Sequence, residues 1–209
     1  RVKKDGSIIG IDVISAIKNN TINSLLLDAG DTLHGLPFAT LKKGEDIVSL
    51  MKLAGYDAMA PGNHDFNYGY ERLLELSKLS AEGENSFPII SSNVMKGNDN
   101  LIDSNVIKDV AGIKVGIFGL TTPETAYKTN PNNVIGIDFA DPVEAARKQV
   151  EELRAKGADV IVALAHVGID ESSEVVSTMI ADEVDGIDVI VDGHSHSTLQ
   201  EGITTENGT

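Results

Sequence analysis

The sequence predicts an α/β domain in which short buried strands alternate with amphipathic helices. Short apolar or β-branched runs recur at Leu25–Leu27, Val115–Leu120, Val160–Val162 and Val189–Val191, as buried parallel strands do. Between them lie segments with helical spacing that stop at a glycine, such as 46–54 before Gly55 and 143–156 before Gly157. Polar residues then cluster where strands end, and open α/β sheets bind ligands beyond the carboxyl ends of their strands.

In chain order, Ile9, Ile11, Val13, Ile14 and Ile17 follow a helical rather than an alternating pattern. Leu25–Leu27 reads as a strand that runs into Asp28-Ala29-Gly30-Asp31. Residues 46–54 form an amphipathic helix ended by Gly55, and 57–60 form a brief strand. Tyr70 to Leu79 is a helix with Leu73, Leu74, Leu76 and Leu79 inward. Residues 81–86 are a loop, 88–92 a strand and 97–100 a turn. Val106–Val110 and Lys114–Leu120, parted by Ala111-Gly112, make a hairpin whose second arm is a central strand. Asp141 and Pro142 open a helix over 143–156, as N-cap and first helical residue. Two β-branched runs follow, one reaching His166 and one reaching His194, with a helix over roughly 171–182 between them.

The 209 residues are enough for a sizeable core, and 41% are hydrophobic. A net charge of −15 argues against binding nucleic acid or an anionic membrane through a basic face. It would also repel a phosphorylated substrate, unless bound divalent cations reverse the field locally. The absence of cysteine excludes disulfides, zinc-thiolate sites and cysteine nucleophiles. No apolar run approaches the roughly 20 residues of a membrane span. The chain opens at Arg1 without an initiator Met, so an upstream segment is expected to have been removed or left out.

Ala60-Pro61-Gly62-Asn63-His64-Asp65-Phe66-Asn67-Tyr68-Gly69 places an amide, an imidazole and a carboxylate in consecutive positions between glycines. That is the composition of a tight turn around a ligand, not of a core element. Strand ends supply Asp31, Asn63-His64, His166 and His194-Ser195-His196, so four of the five histidines sit at such exits. Imidazole, amide and carboxylate together suit zinc, manganese or iron(II) better than calcium.

The set Gly30-Asp31, Gly62-Asn63-His64-Asp65, Ala165-His166 and Gly193-His194-Ser195-His196 resembles the calcineurin-like metallophosphoesterases. Asp28-Ala29-Gly30-Asp31-Thr32, Gly55-Tyr56-Asp57-Ala58-Met59 and Phe66-Asn67-Tyr68-Gly69 narrow the resemblance to the N-terminal catalytic domain of the 5'-nucleotidase family. That family includes UDP-sugar hydrolases and 2',3'-cyclic-nucleotide phosphodiesterases. The motifs span Asp28 to His196.

The resemblance implies a four-layer α/β/β/α sandwich, lacking its first strand in this chain, with a centre for two divalent metal ions. By motif, Asp31 would bridge both metals, Asn63, His166 and His194 would hold one, and His196 the other. His64 would stand by the scissile phosphate as general acid or cationic stabiliser, with Asn67 orienting it. Two metals about 3.5–4 Å apart can activate water and clamp phosphoryl oxygens, and in-line transfer then needs mainly charge and alignment.

The chain departs from the family pattern in two places. The family's upstream Asp-x-His is absent, which leaves the second metal site incomplete and the activity of this fragment alone an open question. Asn67 stands where many 5'-nucleotidases carry Asp, a form that also resembles the cyclic-phosphodiesterase branch. The implied activity is hydrolysis of nucleotide phosphate esters. The alternatives are a 2',3'-cyclic-nucleotide phosphodiesterase/3'-nucleotidase and a non-catalytic metal-binding domain. Residues 1–209 would be one catalytic domain whose C-terminal substrate-binding partner lies outside this chain, so no substrate-binding residue is assigned. The expected location, by family analogy, is extracellular, periplasmic or at the cell surface.

Other polar residues have two readings. His34 is either a substrate or supporting residue or a surface imidazole. Asp28 and Asp192 either orient ligands or satisfy turn donors, and Asp65, next to His64, reads equally as a turn or cap residue. Glu171–Glu174 read as a solvated helix start, and Leu36-Pro37-Phe38 as loop packing or a pocket cover.

Overall fold

The computed structural model describes residues 10–209. The start of the first expected helix, Ile9, lies outside them. The elements are α1 (Ile11–Asn20), β1 (Leu27–Asp28), α2 (Pro37–Leu41), α3 (Glu45–Ala54), β2 (Ala58–Met59), α4 (Tyr70–Ala81), β3 (Val94–Lys96) and β4 (Asp99–Asn100). They continue with β5 (Asn105–Val110), β6 (Ile113–Thr121), α5 (Thr125–Lys128), β7 (Asp138–Phe139), α6 (Pro142–Ala155), β8 (Val160–His166), α7 (Ser177–Glu183) and β9 (Val189–Asp192).

The main sheet has the order β5-β6-β8-β9. β5 and β6 are antiparallel, joined by Ala111 and Gly112 at φ 54° and 87°, the left-handed pair that a tight hairpin needs. β6, β8 and β9 run parallel, so their carboxyl ends lie at one edge. A second parallel pair, β1 and β2, is extended by a single bridge from Met59 to Ile89. A small antiparallel set, β4-β3-β7, completes the strands.

Period-2 alternation sorts the strand residues into two faces. Phe118, Leu120, Ile161, Ala163 and Ala165 pack with α6 and α7 residues such as Ala146, Leu153 and Ile180. Their neighbours Ile117, Val162 and Leu164 turn the other way and meet Ala58, Ala60 and Ile90 of the second sheet. The outer face of that sheet, through Met59 and Ile89, packs on Val48 and Met51 of α3 and Leu73 and Leu76 of α4. The layers therefore run helix, sheet, sheet, helix, which is the four-layer sandwich the resemblance implies. Alanines between the sheets allow close approach. At Gly119 a Cβ would overlap the Ile90 carbonyl, so only glycine fits there.

Helix ends obey local chemistry. Asp141 Oδ1 accepts the N–H groups of Val143 at 2.8 Å and Glu144 at 3.3 Å, with Pro142 opening α6. Gly55, at φ 82°, closes α3 in the left-handed region.

Two expected elements differ. The strand over 88–92 is reduced to the bridge at Ile89, because the next N–H groups leave for other partners: Ser91 donates to the Asp103 carbonyl and Ser92 to the Gly119 carbonyl. The helix expected from 171 begins only at Ser177. Asp170 Oδ1 accepts the Ser172 N–H and its carbonyl accepts that of Ser173, which turns the chain instead. Glu171–Glu174 are therefore turn residues, not a helix start. The expected turn at 97–100 is the tip and return arm of the β3–β4 hairpin. α2, β3, α5 and β7 arise where no element was expected. Among the described residues no helix is long and apolar enough to cross a membrane.

Candidate metal centre

The loops after β1, β2, β8 and β9 meet at one edge of the sandwich. After β1, Asp28 Oδ1 accepts the Gly30 N–H at 3.0 Å and the Thr32 hydroxyl at 2.9 Å, folding the loop back. Burial pushes the Asp28 carboxyl up to about 6 despite those bonds. Gly30 follows at φ 92°, where a Cβ would lie 2.8 Å from both the Ala60 carbonyl and His166 Nδ1. Asp31 then takes φ 62°, a conformation that costs a non-glycine residue and holds only where surroundings enforce it.

Asp65 supplies that enforcement. It is fully buried, in the short 3-10 turn Asn63–Phe66, and its carboxylate accepts three backbone N–H groups at 2.8 Å each, from Asp31, Leu33 and Gly62. Burial, with Asp31 nearby, pushes its carboxyl up to about 7. The turn reading of Asp65 thus holds, and through it the residue orients Asp31. Asp192 likewise accepts backbone donors, from Val167, Gly168 and Gly193.

Asp31 projects among the other donors. Its Oδ1 accepts the His64 N–H at 2.8 Å, and its Oδ2 lies 3.2 Å from His166 Nε2. His166 is 2% exposed, at the end of β8, with Nδ1 held by the Ala29 carbonyl at 2.5 Å. That bond fixes the ring and its tautomer, as a carbonyl behind a metal-binding histidine does. The approach to Asp31 lacks hydrogen-bond geometry, so His166 Nε2 is buried without a partner, as is Asn63 Oδ1. Such groups are costly to leave unsatisfied and call for an explanation. For His166, burial depresses the imidazole, but Asp31 outweighs it and the net direction is upward. For Asp31, burial raises the carboxyl and His166 more than offsets it, so the net direction is downward. A proton or a divalent cation would satisfy the same pair.

The space is shaped for those side chains. A Cβ on Gly62 would overlap Asp31 Oδ1 and lie 2.6 Å from His166 Nε2. His194, at φ 76° beyond β9, puts its ring 5.0 Å from that of His166. Its Nε2 lies 2.9 Å from Glu124 Oε2 and 3.1 Å from Lys128 Nζ. Burial pushes the His194 imidazole down, against the pull of Glu124. Burial would raise Glu124, but Lys128 at 2.6 Å, His194 and Tyr127 bring it down to about 2. His196, at φ 55°, is exposed at the rim. Asp31, His166, His194 and His196 line one end of a cavity of 840 Å³.

Donors of the right chemistry thus converge, but pairwise. Among the described residues no three carboxylate or imidazole groups already surround one point, since His194 is held by Glu124 and His196 stands apart. The orphaned His166 Nε2 beside the Asp31 carboxylate, and the orphaned Asn63 Oδ1 in the turn after β2, are donors of the chemistry that suits a divalent cation.

Asn67 follows the 3-10 turn and lies between two imidazoles, 2.9 Å from His64 Nδ1 and 3.2 Å from His34 Nδ1. His64 itself is exposed. His34 is therefore part of this cluster. Glu124, Lys128 and Thr129 escaped sequence reasoning, although Thr121-Thr122-Pro123-Glu124 is a polar strand exit like the others.

Residues 11–198 match the family model described as calcineurin-like phosphoesterase. The chain is 34% identical over 200 residues to a 5'-nucleotidase from Diplobatis ommata, covering 93% of this chain and 33% of that protein. It is 38% identical over 198 residues to the snake venom 5'-nucleotidase of Gloydius brevicauda, covering 90% and 31%. Its fold is similar to the crystal structure of a 5'-nucleotidase precursor from Thermus thermophilus, with a TM-score of 0.78, 34% identity, and 92% of this chain against 36% of that one. The chain thus spans about a third of the length of these relatives.

Proposed function

Because the chain belongs to the calcineurin-like phosphoesterase family, whose members bind divalent metal ions, we propose that it is the metal-binding part of a hydrolase acting on nucleotide phosphate esters. The observation that supports this most is the buried His166 Nε2, without a hydrogen-bond partner 3.2 Å from Asp31 Oδ2, together with the unpartnered Asn63 Oδ1 in the adjoining turn.

In this reading Asp31, Asn63, His166 and His194 would hold a divalent cation, which would supply positive charge at this edge. His196 and Asp31 serve a second one. Such metals, when bound, activate water and neutralise phosphoryl charge. The chain's own groups do the rest. Asp65 fixes Asp31, and the Ala29 carbonyl fixes His166. His64, exposed and tied to Asp31 through its backbone N–H, would meet the phosphoryl group, with Asn67 beside its ring. The metals also resolve the conflict between an anionic substrate and a chain of net charge −15.

A nucleotide substrate is supported by the 5'-nucleotidase names of the relatives. Asn67, where many nucleotidases carry Asp, favours a second substrate class, 2',3'-cyclic nucleotides. A location outside the cytoplasm is supported by the venom origin of one relative.

The test is hydrolysis by the purified chain of AMP to adenosine and phosphate, of UDP-glucose to UMP and glucose 1-phosphate, and of 2',3'-cyclic AMP to 3'-AMP, read by product chromatography, with manganese or zinc and with chelator. Chelator-sensitive turnover of AMP is expected. Turnover of the cyclic nucleotide alone selects the second class. No turnover of any of the three, with metal bound, leaves a non-catalytic metal-binding domain.

A further inference from the structure

One buried hydroxyl joins the strand exits of the two sheets. Thr121, fully buried, ends β6 and is paired in register with His166, which ends β8. The next N–H, of Thr122, donates to the His166 carbonyl at 2.9 Å. The Thr121 hydroxyl donates in the other direction, to the Pro61 carbonyl beyond β2, at 3.0 Å. A carbonyl only accepts, so the sense of this bond is fixed. Among the described residues no other group donates to the Pro61 carbonyl. The peptide from Pro61 to Gly62 is planar, and its far end is held too, because the Gly62 N–H donates to Asp65 Oδ2 at 2.8 Å. Asn63 is the next residue.

Asn93 keeps Thr121 in place. Its Oδ1 accepts the Thr121 N–H at 2.9 Å, and its Nδ2 donates to the carbonyls of Thr121 at 2.7 Å and Ala140 at 3.1 Å. One N–H and two carbonyls admit only this orientation of the amide. Ser91 Oγ completes the cluster, 2.9 Å from Thr121 Oγ1. Ser91, Asn93 and Thr121 are all fully buried, and a buried polar network with its partners in place is rigid. We propose that Thr121 is a positioning residue whose hydroxyl, held by Asn93, fixes the turn that carries Asn63, on one sheet, relative to His166, on the other. The inference rests on the reading of Asn63 and His166 as ligands of one cation. Without the hydroxyl the Pro61 carbonyl is left unpaired inside the protein, and the turn is held from the Asp65 side alone.

Two readouts test this, one without metal and one with it. Thr121→Val keeps the branched side chain, and Thr121→Ala leaves nothing to press on the Pro61 carbonyl. In the metal-free chain both are expected to speed amide hydrogen exchange at Gly62 about 10-fold relative to the β8 amides. A purely structural loss would speed both alike. Manganese binding, by titration calorimetry, is expected to weaken about 10-fold in both variants. Thr121→Ser should restore both readouts. Ser92→Ala removes another buried hydroxyl between the sheets, which donates to the Gly119 carbonyl at 2.8 Å, and should leave both at wild-type values. Exchange at Gly62 no faster relative to β8 than in Ser92→Ala overturns the proposal. So does an unchanged manganese affinity in both Thr121 variants of a chain that binds the metal. Exchange is read without metal, so a wild type that binds none but shows the Gly62 effect contradicts the metal reading and upholds the tether.

Discussion

The carboxylate of Asp65 accepts the backbone N–H of Asp31 at 2.8 Å, across the gap between the loops that follow β1 and β2. Its remaining bonds, to Leu33 and Gly62, lace the same two loops together. A residue that never faces the cavity thereby holds Asp31 at φ 62°.

Asp65→Asn replaces an acceptor with a group that must turn one N–H toward backbone donors. It should destabilise the chain by about 1–3 kcal/mol and weaken metal binding about 10- to 100-fold. Thermal unfolding and metal titration calorimetry check both. A lowered Tm with unchanged metal affinity would show that Asp65 supports the loops without orienting Asp31.

Gly62→Ala is expected to act through space rather than strain, because Gly62 has φ −93°, which alanine adopts freely. The new methyl group would meet Asp31 Oδ1 and the His166 ring. Overpacking of this kind costs about 1–3 kcal/mol, and here it displaces two proposed ligands. Loss of bound metal with secondary structure retained, by elemental analysis and circular dichroism, is the expected outcome. Full metal content would show that the ligands lie elsewhere.

Glu124→Gln should change the pH dependence of stability. Burial raises this carboxyl, but Lys128, His194 and Tyr127 outweigh it and depress the folded value to about 2, below the ordinary 4.5. Its stabilisation is present above about 4.5 and lost as pH falls toward 2. Wild type should therefore be more stable than Glu124→Gln at neutral pH, with the difference closing in that window. A pH-independent difference in denaturant midpoints would contradict this.

Asp28→Asn should show the opposite sign. Burial raises the Asp28 carboxyl to about 6 from an ordinary 3.8. The native state binds the proton more readily than the unfolded chain, so stability falls as pH rises between those values. In metal-free protein the asparagine variant should gain on wild type from about pH 4 to 6 and then hold a constant lead. Parallel stability curves would place Asp28 in a more solvated setting.

The central strands were legible because their physics is local. Val115–Leu120 and Val160–His166 are β-branched and apolar over enough residues to specify buried strands, and the polar exits of β1, β2, β8 and β9 pointed to Asp31, Asn63, His166 and His194 as candidate ligands. The N-cap Asp141 with Pro142, and the stop at Gly55, were readable for the same reason. The acidic run 171–174 misled, because an Asx turn at Asp170 has the same composition as a helix N-terminus. Glu124 and Thr129 were invisible. They flank a helix of four residues, too short to leave a period, and their partners His194 and Asn67 lie 70 and 62 residues away in sequence.

The most direct test of the central claim is a count of divalent metal per chain, in the wild type and in His166→Ala and Asp31→Ala. Retention of manganese, iron or zinc by the wild type, with loss from both variants that remain folded, is the result that a centre built from these strand exits requires. Equal metal content in all three proteins, or none in the wild type after loading and desalting, would contradict it.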